Sequence, residues 1–223
     1  MISIAKKLKK NMRRRGQSFV EFAILLPLIL IMLSGLIEFG FLLNENLDLI
    51  DAALEVARFA ADEDPIRDDA GNFDPNPATT PEPAGFYTRL WSNTDRALDM
   101  GGQIALDPVE DDVVVSLFAV NFGTVSQRYP LAVGAQGGEN GWQRWGNDTS
   151  KFGSADIQGI VTDSIASNGG FITPNTGVVL VEIFYDYHMI MGLPWIRAFV
   201  PDPVPLHVYA IMPNAALEPT PTP

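Results

Sequence analysis

Sixteen consecutive uncharged residues, from 22 to 37, constrain this chain more than any other feature. They read FAILLPLILIMLSGLI, and the following EFGFLL extends the apolar character to Leu43. A helix over 22–43 is roughly 33 Å long at about 1.5 Å per residue, which is enough to cross a hydrocarbon core of about 30 Å. Pro27 removes one backbone donor and predicts a local kink. The run therefore predicts a membrane-spanning helix. Glu38 lies about a turn and a half from its outer end, where a carboxylate is expected to reach the lipid headgroups.

Charge is distributed unevenly about this run. Seven of the fifteen Lys and Arg residues precede Gly16, whereas all 27 Asp and Glu residues follow it. The formal charge is −12, and the part after Gly16, with eight cations, carries −19. Because basic residues stay on the cytoplasmic, anionic face of a membrane, we expect a cytoplasmic N terminus and an outer C-terminal domain. The acidic body argues against a nucleic-acid partner, since it repels phosphate.

The spanning helix is predicted to continue beyond the membrane. After Asn44, apolar residues recur at steps of three and four with acidic residues between them, which is typical of an amphipathic helix. The predicted buried face consists of Leu43, Leu47, Ile50, Leu54, Ala57 and Ala61. We expect one helix from about Ser18 to Ala61. The sequence DEDP, 62–65, should end it, because Pro65 cannot continue a helix.

The remainder predicts an α+β fold: the long helix is followed by an outer domain with an antiparallel sheet and short helices. We divide the chain into a basic leader (1–16), a transmembrane and amphipathic helix (17–61), an acidic Pro-rich linker (62–83), the α+β domain (84–213) and a flexible tail (214–223). The linker and the tail are rich in Pro with little to bury.

Within the domain, helices are predicted at 85–100, ended by Gly101 and Gly102, and at 154–168. Ser154 is the candidate N-cap of the second helix, and Gly169 follows its end. Residues 113–120 are apolar on both faces, as in a buried strand.

Two further strands are predicted, at 178–191 and 205–212. The first alternates, with Glu182, Asp186 and His188 on its polar face, which predicts a half-buried antiparallel strand. Pro201, Pro203 and Pro205 accompany the start of the second, and they suit an edge strand or a loop. Residues 123–153 are rich in turns and receive no assignment.

Candidate chemistry outside the helix is weak. A metal or acid–base site at His188 with Asp186 and Glu182 is one interpretation, but any solvated strand face has this spacing. His207 is interpreted as packing. The carboxylates of the acidic run 107–112 are interpreted either as Ca²⁺ ligands or as an acidic turn before a strand. The run lacks the ligand positions of an EF-hand. The WQRW run, 142–145, suits a partner, a glycan or a loop anchored on its own tryptophans. Without cysteine, thiolate sites are excluded, and we expect no cofactor, no metal site and no enzymatic activity.

Three interpretations compete for the N-terminal segment. A secretory signal peptide has a shorter apolar core and an Ala-x-Ala-like site, whereas this run is longer and an amphipathic helix follows it. A plain membrane anchor explains the charge and the span, but it explains neither Gly16 nor Glu21. In the third interpretation the basic leader ends at Gly16, Gln17 follows, and Glu21 stands five positions after the glycine.

The spacing of Gly16 and Glu21 in the third interpretation resembles the cleavage site of type IV prepilins. The stretch RRRGQSFVEFAILLPLILIMLSGLIEFG, 13–40, is similar in particular to the TadE-like family of Tad (Flp) pilus assembly proteins in its Gly, Glu-Phe and Pro placements. The likeness covers roughly 15–57. Major Flp pilins are much shorter, so the size of this domain points to a minor pilin. Assignment to the related TadG branch is an alternative that the sequence leaves open.

The resemblance implies a minor pilin-like component (pseudopilin) that acts structurally in assembly of a Tad pilus and in surface adhesion. It implies cleavage between Gly16 and Gln17 by a prepilin peptidase, at the inner membrane of a bacterium or an archaeon. Its partners would be other pilins, the Tad secretion machinery, the peptidase and the lipid bilayer. Glu21 would pair with an α-amine of its own or a neighbouring chain and align the helices. The alternative is an uncleaved single-pass surface protein unrelated to pili.

Overall fold

The computed structural model describes residues 2–65, 85–101, 104–132, 137–172 and 175–217, with the backbone alone at 2–17, 101 and 175. Most of the predicted linker and the last six residues lie outside this part of the chain. Two compact units are present. The first combines Met1–Leu43 with His188–Val204, and the second combines Asn44–Tyr187 with Pro205–Pro223.

The described elements confirm the predicted α+β fold. Four helices are described: α1 Ile2–Asp62, α2 Phe86–Gly101, α3 Ser154–Ser167 and α4 Pro194–Arg197. Five strands are described: β1 Asp112–Asn121, β2 Thr124–Tyr129, β3 Trp142–Gln143, β4 Asn175–Tyr187 and β5 Val204–Asn214. A 3₁₀ turn covers Gly138–Asn140. The segment that received no assignment from sequence therefore contains two short strands, whose few residues give no clear alternation.

The sheet has the strand order β2-β1-β4-β5, with β3 also paired to β1. Strand β1 is antiparallel to β4, with Val115 opposite Val181, and antiparallel to β2, with Leu117 opposite Tyr129. Nine of the ten β1 residues are buried, which confirms the predicted buried strand. Strand β5 lies at an edge, as the prolines before it indicate.

The prediction that β4 is half-buried is wrong. Its odd-numbered face belongs to the main hydrophobic core through Val179, Val181 and Ile183. Its other face is also covered, because Leu180 joins a second, smaller core with Phe118 and Ile157 of α3. Glu182 is fully buried. The alternation is real, but each face of this inner strand meets its own layer.

The second part of α1 packs into the main core with a different face from the predicted one. The buried side chains are Leu49, Ala52, Ala53, Val56, Ala57 and Ala60. Of the predicted face, Ala57 is fully buried and Ile50 and Leu54 are partly buried against the core, whereas Leu43 and Leu47 are exposed. The alanines form a face without bulky side chains, which lets the helix approach its neighbours closely. The start of the helix also differs from the prediction, since α1 begins at Ile2 rather than near Ser18.

The start of α3 also needs a correction. Ser154 is the first helical residue, and the N-cap is Gly153. The Gly153 amide donates to the Asp156 carboxylate at 2.8 Å, which caps the turn from inside the helix. Gly169 follows the helix with φ of +71°, as predicted for a residue beyond the C-cap.

The predicted flexible tail begins too early. Asn214 and Leu217 are fully buried. The Asn214 side chain donates to the carbonyls of Ala60 and Glu63 at 2.9 Å each and accepts from the amides of Ala216 and Leu217. One amide therefore fastens the end of β5 to the end of α1, and the packed part of the chain includes Leu217.

We predict that Gly177→Ala destabilises the fold, because a Cβ there would overlap Leu217 Cβ and lie 2.8 Å from the Asn214 carbonyl oxygen. The expected loss in the free energy of unfolding is about 1–3 kcal/mol. The matched control is Gly159→Ala in α3, where a Cβ meets nothing within 4 Å. There we expect a gain of up to about 1 kcal/mol from helix propensity. Urea denaturation of the full chain in detergent, followed by tryptophan fluorescence, measures both; equal effects would contradict the packing of Leu217 on β4.

Candidate functional site

The first part of α1 has the surface of a helix surrounded by lipid. Every side chain from 18 to 33 is exposed, including the large apolar ones. The helix is long and apolar enough to cross a membrane. The helical geometry bonds backbone donors and acceptors internally, as a hydrocarbon environment requires, except at Pro27, which has no N–H.

The residues of the predicted cleavage site lie on this helix. The Gly16–Gln17 bond is within the continuous backbone of α1, and Glu21 follows one helical turn later with an exposed side chain. Residues four apart lie on the same face of a helix. An α-amine at Gln17 would therefore be close to the Glu21 carboxylate.

Two buried polar residues lie in the C-terminal part of the apolar run. Ser34 and Glu38, one turn apart on α1, are only 7% and 4% exposed. Glu38 accepts hydrogen bonds from the amides of Ile190 and Met191 at 2.8 and 2.9 Å, one to each carboxylate oxygen. The Trp195 indole donates to Ser34 Oγ at 3.1 Å. These bonds hold residues 188–204, the segment between β4 and β5, against α1.

The 188–204 segment also satisfies its own charges. The Asp202 carboxylate pairs with Arg197 Nη2 at 2.5 Å and accepts a hydrogen bond from the Met189 amide at 3.1 Å. His188 Nδ1 lies 4.0 Å from the same carboxylate. The short helix α4 begins at Pro194, whose missing N–H costs nothing at that position. The segment is thus tied both internally and to α1.

This arrangement corrects two expectations. Sequence reasoning placed Glu38 within reach of the lipid headgroups, whereas its carboxylate is covered by the chain's own backbone. The segment was also assigned to the outer domain, whereas it forms one compact unit with α1. A signal existed in the sequence, because Ser34 and Glu38 share a helix face and HMIMGLPWIRAFV is unusually apolar for a loop.

The structure assigns the three residues of the suspected polar strand face to different surroundings. His188 lies beyond the end of β4 and faces Asp202. Buried Glu182 instead pairs with His207 Nε2 at 3.0 Å and accepts from Ser150 Oγ and the Lys151 amide. His207 also stacks on Phe184 at 4.5 Å. His207 therefore packs as predicted, but its ion-pair geometry with Glu182 was missed because it depends on which strands are neighbours.

The last two aspartates of the acidic run 107–112 are buried and hold backbone, whereas residues 107–110 are exposed. The buried Asp112 carboxylate accepts from the amides of residues 145–148 at 2.8–3.1 Å and from the Val113 amide at 2.8 Å. Asp111 accepts from the amides of Asp107 and Asp186. Burial raises the pKa of Asp111 despite these two bonds. These carboxylates act as acceptors for irregular backbone.

The WQRW loop is anchored on its own aromatic side chains. Trp142 stacks on Tyr87 of α2 at 4.8 Å, and Trp145 meets the Trp91 ring edge-on at 4.9 Å. The Arg144 guanidinium lies over Trp91 at 4.8 Å. Of the interpretations of this run, these contacts support the self-anchored loop.

A buried arginine organises the other edge of the sheet. Arg128 of β2 bonds the Glu139 carboxylate at 3.0 Å, the Ser116 hydroxyl at 2.8 Å and the Phe152 carbonyl at 2.9 Å. The hydroxyl of Ser154, more than Arg128, lowers the pKa of Glu139, whereas burial lowers the pKa of Arg128. The pair ties β1, β2, the 3₁₀ turn and the start of α3 together.

The comparison with known families matches α1. Residues 16–58 match the family model described as TadE-like protein. The N-terminal segment is TadE-like. This finding confirms, for the N-terminal segment, the resemblance inferred from sequence. The TadE-like segment contains Gly16, Glu21, Ser34 and Glu38 and covers about a fifth of the chain. No curated protein and no solved structure matches the chain.

We predict that Asp112→Asn destabilises the loop at 145–148, because an amide nitrogen replaces an oxygen that accepts buried N–H groups. The expected loss in the free energy of unfolding is about 1–3 kcal/mol. Asp163→Asn, the same chemical change at an exposed position of α3, should have no measurable effect. Thermal unfolding of the full chain in detergent measures both, and an equally stable Asp112→Asn protein would contradict the carboxylate's role.

Proposed function

We propose that this protein is a minor pilin-like component of a Tad-type pilus and acts structurally rather than as an enzyme. The match of residues 16–58 to the TadE-like family carries the proposal. The geometry of α1 supports it, because one continuous helix leads from a lipid-compatible surface at 18–33 to an alanine-rich packed face at 49–60. A helix of this kind can both anchor the protein in a membrane and pack against the sheet domain.

In this proposal the N terminus is cytoplasmic, and the domain beyond Asn44 lies outside the inner membrane. The seven cations before Gly16 support that orientation, since the bias of Lys and Arg sets topology. The outer domain primes or decorates the pilus and contributes to surface attachment. Its partners are the other pilins and the Tad assembly machinery.

We predict that a prepilin peptidase cuts between Gly16 and Gln17. A glycine before the scissile bond presents no side chain to the enzyme, so Gly16→Val should abolish leader removal. Gly35→Val is the matched control in the same helix, where a Cβ meets nothing within 4 Å. The intact mass of the membrane protein, expressed with the peptidase, is the measurement.

The unchanged chain and the Gly35→Val chain should both begin at Gln17. A native protein that keeps residues 1–16 would contradict cleavage and favour the alternative function, an uncleaved surface anchor unrelated to pili. One observation favours that alternative: the family match ends at residue 58, before the described part of the domain begins at Gly85.

We predict that Glu21 acts in subunit association, through pairing with an α-amine in a medium of low dielectric. Glu21→Gln removes the charge and keeps the shape. Membrane insertion should be equal or better, because a charged residue costs about 2.5–3.5 kcal/mol even at a helix centre. Cleavage should persist, whereas cross-linking to other pilus subunits should fall several-fold.

The matched control is Asp51→Asn, which neutralises an exposed carboxylate on the same helix outside the apolar run. It should leave cross-linking unchanged. Normal cross-linking of the Glu21→Gln protein would mean that Glu21 is merely tolerated at the membrane boundary.

A further inference from the structure

The 188–204 segment exposes several large apolar side chains. Phe199 is 88% exposed and Ile190 58% exposed. Met191, Trp195 and Val200 are also classed among the exposed large hydrophobic residues. Several exposed large apolar side chains on one short segment indicate that something other than water covers them.

The hydrogen bonds to α1 set the depth of this segment. Trp195 bonds Ser34, and the amides of Ile190 and Met191 bond Glu38. Ser34 lies nine residues before Leu43, so it is about 14 Å inside the outer end of the 22–43 run at 1.5 Å per residue. The segment is therefore held alongside the outer part of the apolar run.

Many of the backbone amides of the segment are hydrogen-bonded within the segment or to α1. The amide of Met189 bonds Asp202, and those of Ile190 and Met191 bond Glu38. The amides from 196 to 200 bond carbonyls of residues 193–196. Three further positions, 194, 201 and 203, are prolines without an N–H. Irregular backbone is stable at membrane depth only when its polar groups are bonded in this way.

The charged side chains of the segment are also paired with one another. Arg197 pairs with Asp202 at 2.5 Å, and His188 lies 4.0 Å from the same carboxylate. Phe199 and Ile190, in contrast, remain exposed. An amphipathic indole such as that of Trp195 is favoured at the boundary between hydrocarbon and headgroups.

We propose that residues 188–204 are a second membrane anchor, inserted into the outer leaflet beside α1, with lipid covering Ile190, Trp195 and Phe199. Ser34 and Glu38 are its positioning residues. The proposal rests on the membrane anchoring included in the proposed function, but it does not depend on the pilus. Lipid is the occupant because the segment is bound to the same apolar run whose other side chains face the bilayer.

The test uses the absence of cysteine from the chain. Phe199→Cys is labelled with a nitroxide in the full chain, reconstituted in phosphatidylethanolamine–phosphatidylglycerol vesicles. Oxygen, which concentrates in lipid, and a water-soluble nickel chelate compete as relaxation agents. Met32→Cys, 69% exposed on α1, is the lipid reference, and Val109→Cys, 78% exposed in the second unit, is the aqueous reference.

The label at 199 should show an oxygen-to-nickel collision ratio several-fold above that at 109 and close to that at 32. A ratio like that at 109, with a lipid-like value at 32, would overturn the second anchor and leave the first intact. Shielding from both reagents that disappears when the protein is diluted with lipid would show a protein contact and overturn the lipid assignment. An aqueous value at 32 would overturn the anchoring by α1, and with it this proposal.

The positioning role has its own readout. Glu38→Ala removes both acceptors and should shift the collision ratio at 199 several-fold toward the aqueous reference, whereas Glu38→Gln keeps one acceptor and should give an intermediate value. Leu36→Ala, at a 67% exposed position on the same turn, is the control and should not change the ratio. An unchanged ratio in Glu38→Ala would overturn the role of Glu38.

Discussion

Buried side-chain acceptors for irregular backbone are the interaction on which this structure most depends. Asp112 bonds the amides of four successive loop residues, Glu38 bonds two, and Asn214 bonds two amides and two carbonyls. Each side chain replaces the water that these backbone groups would otherwise need. An unsatisfied buried amide costs about 1–3 kcal/mol, so these few residues decide where non-helical chain can be buried.

This use of carboxylates changes the meaning of the acidic composition. A formal charge of −12 suggests a solvated, acidic surface. Yet Asp112, Glu182 and Glu38 are almost fully buried, and each accepts hydrogen bonds from backbone amides. A carboxylate suits this task because it has several acceptor sites and no donor. Part of the acidity is thus structural, and it supports the loops and the 188–204 segment.

Sequence reasoning succeeded where a pattern is local. The uncharged run, the spacing of Gly16 and Glu21, the buried strand at 113–120 and the end of α1 before Pro65 all follow from short-range rules. It failed where a partner far along the chain decides. The buried face of α1 is set by its neighbours, so Leu47 is exposed and Ala53 is buried. The Glu182–His207 pair joins residues 25 apart, and the Glu38 bonds join residues about 150 apart.

The sequence by itself determined that a long apolar helix leads into an α+β domain, and that its N-terminal part is TadE-like. Periodicity, charge bias and motif spacing are local properties of the sequence and do not depend on tertiary contacts. Only the tertiary structure decided that residues 188–204 join α1 rather than the sheet domain, and that Glu38, Asp112 and Glu182 are buried. The physical reason is that a polar side chain is buried only where its partners arrive in space, and their arrival depends on the whole fold.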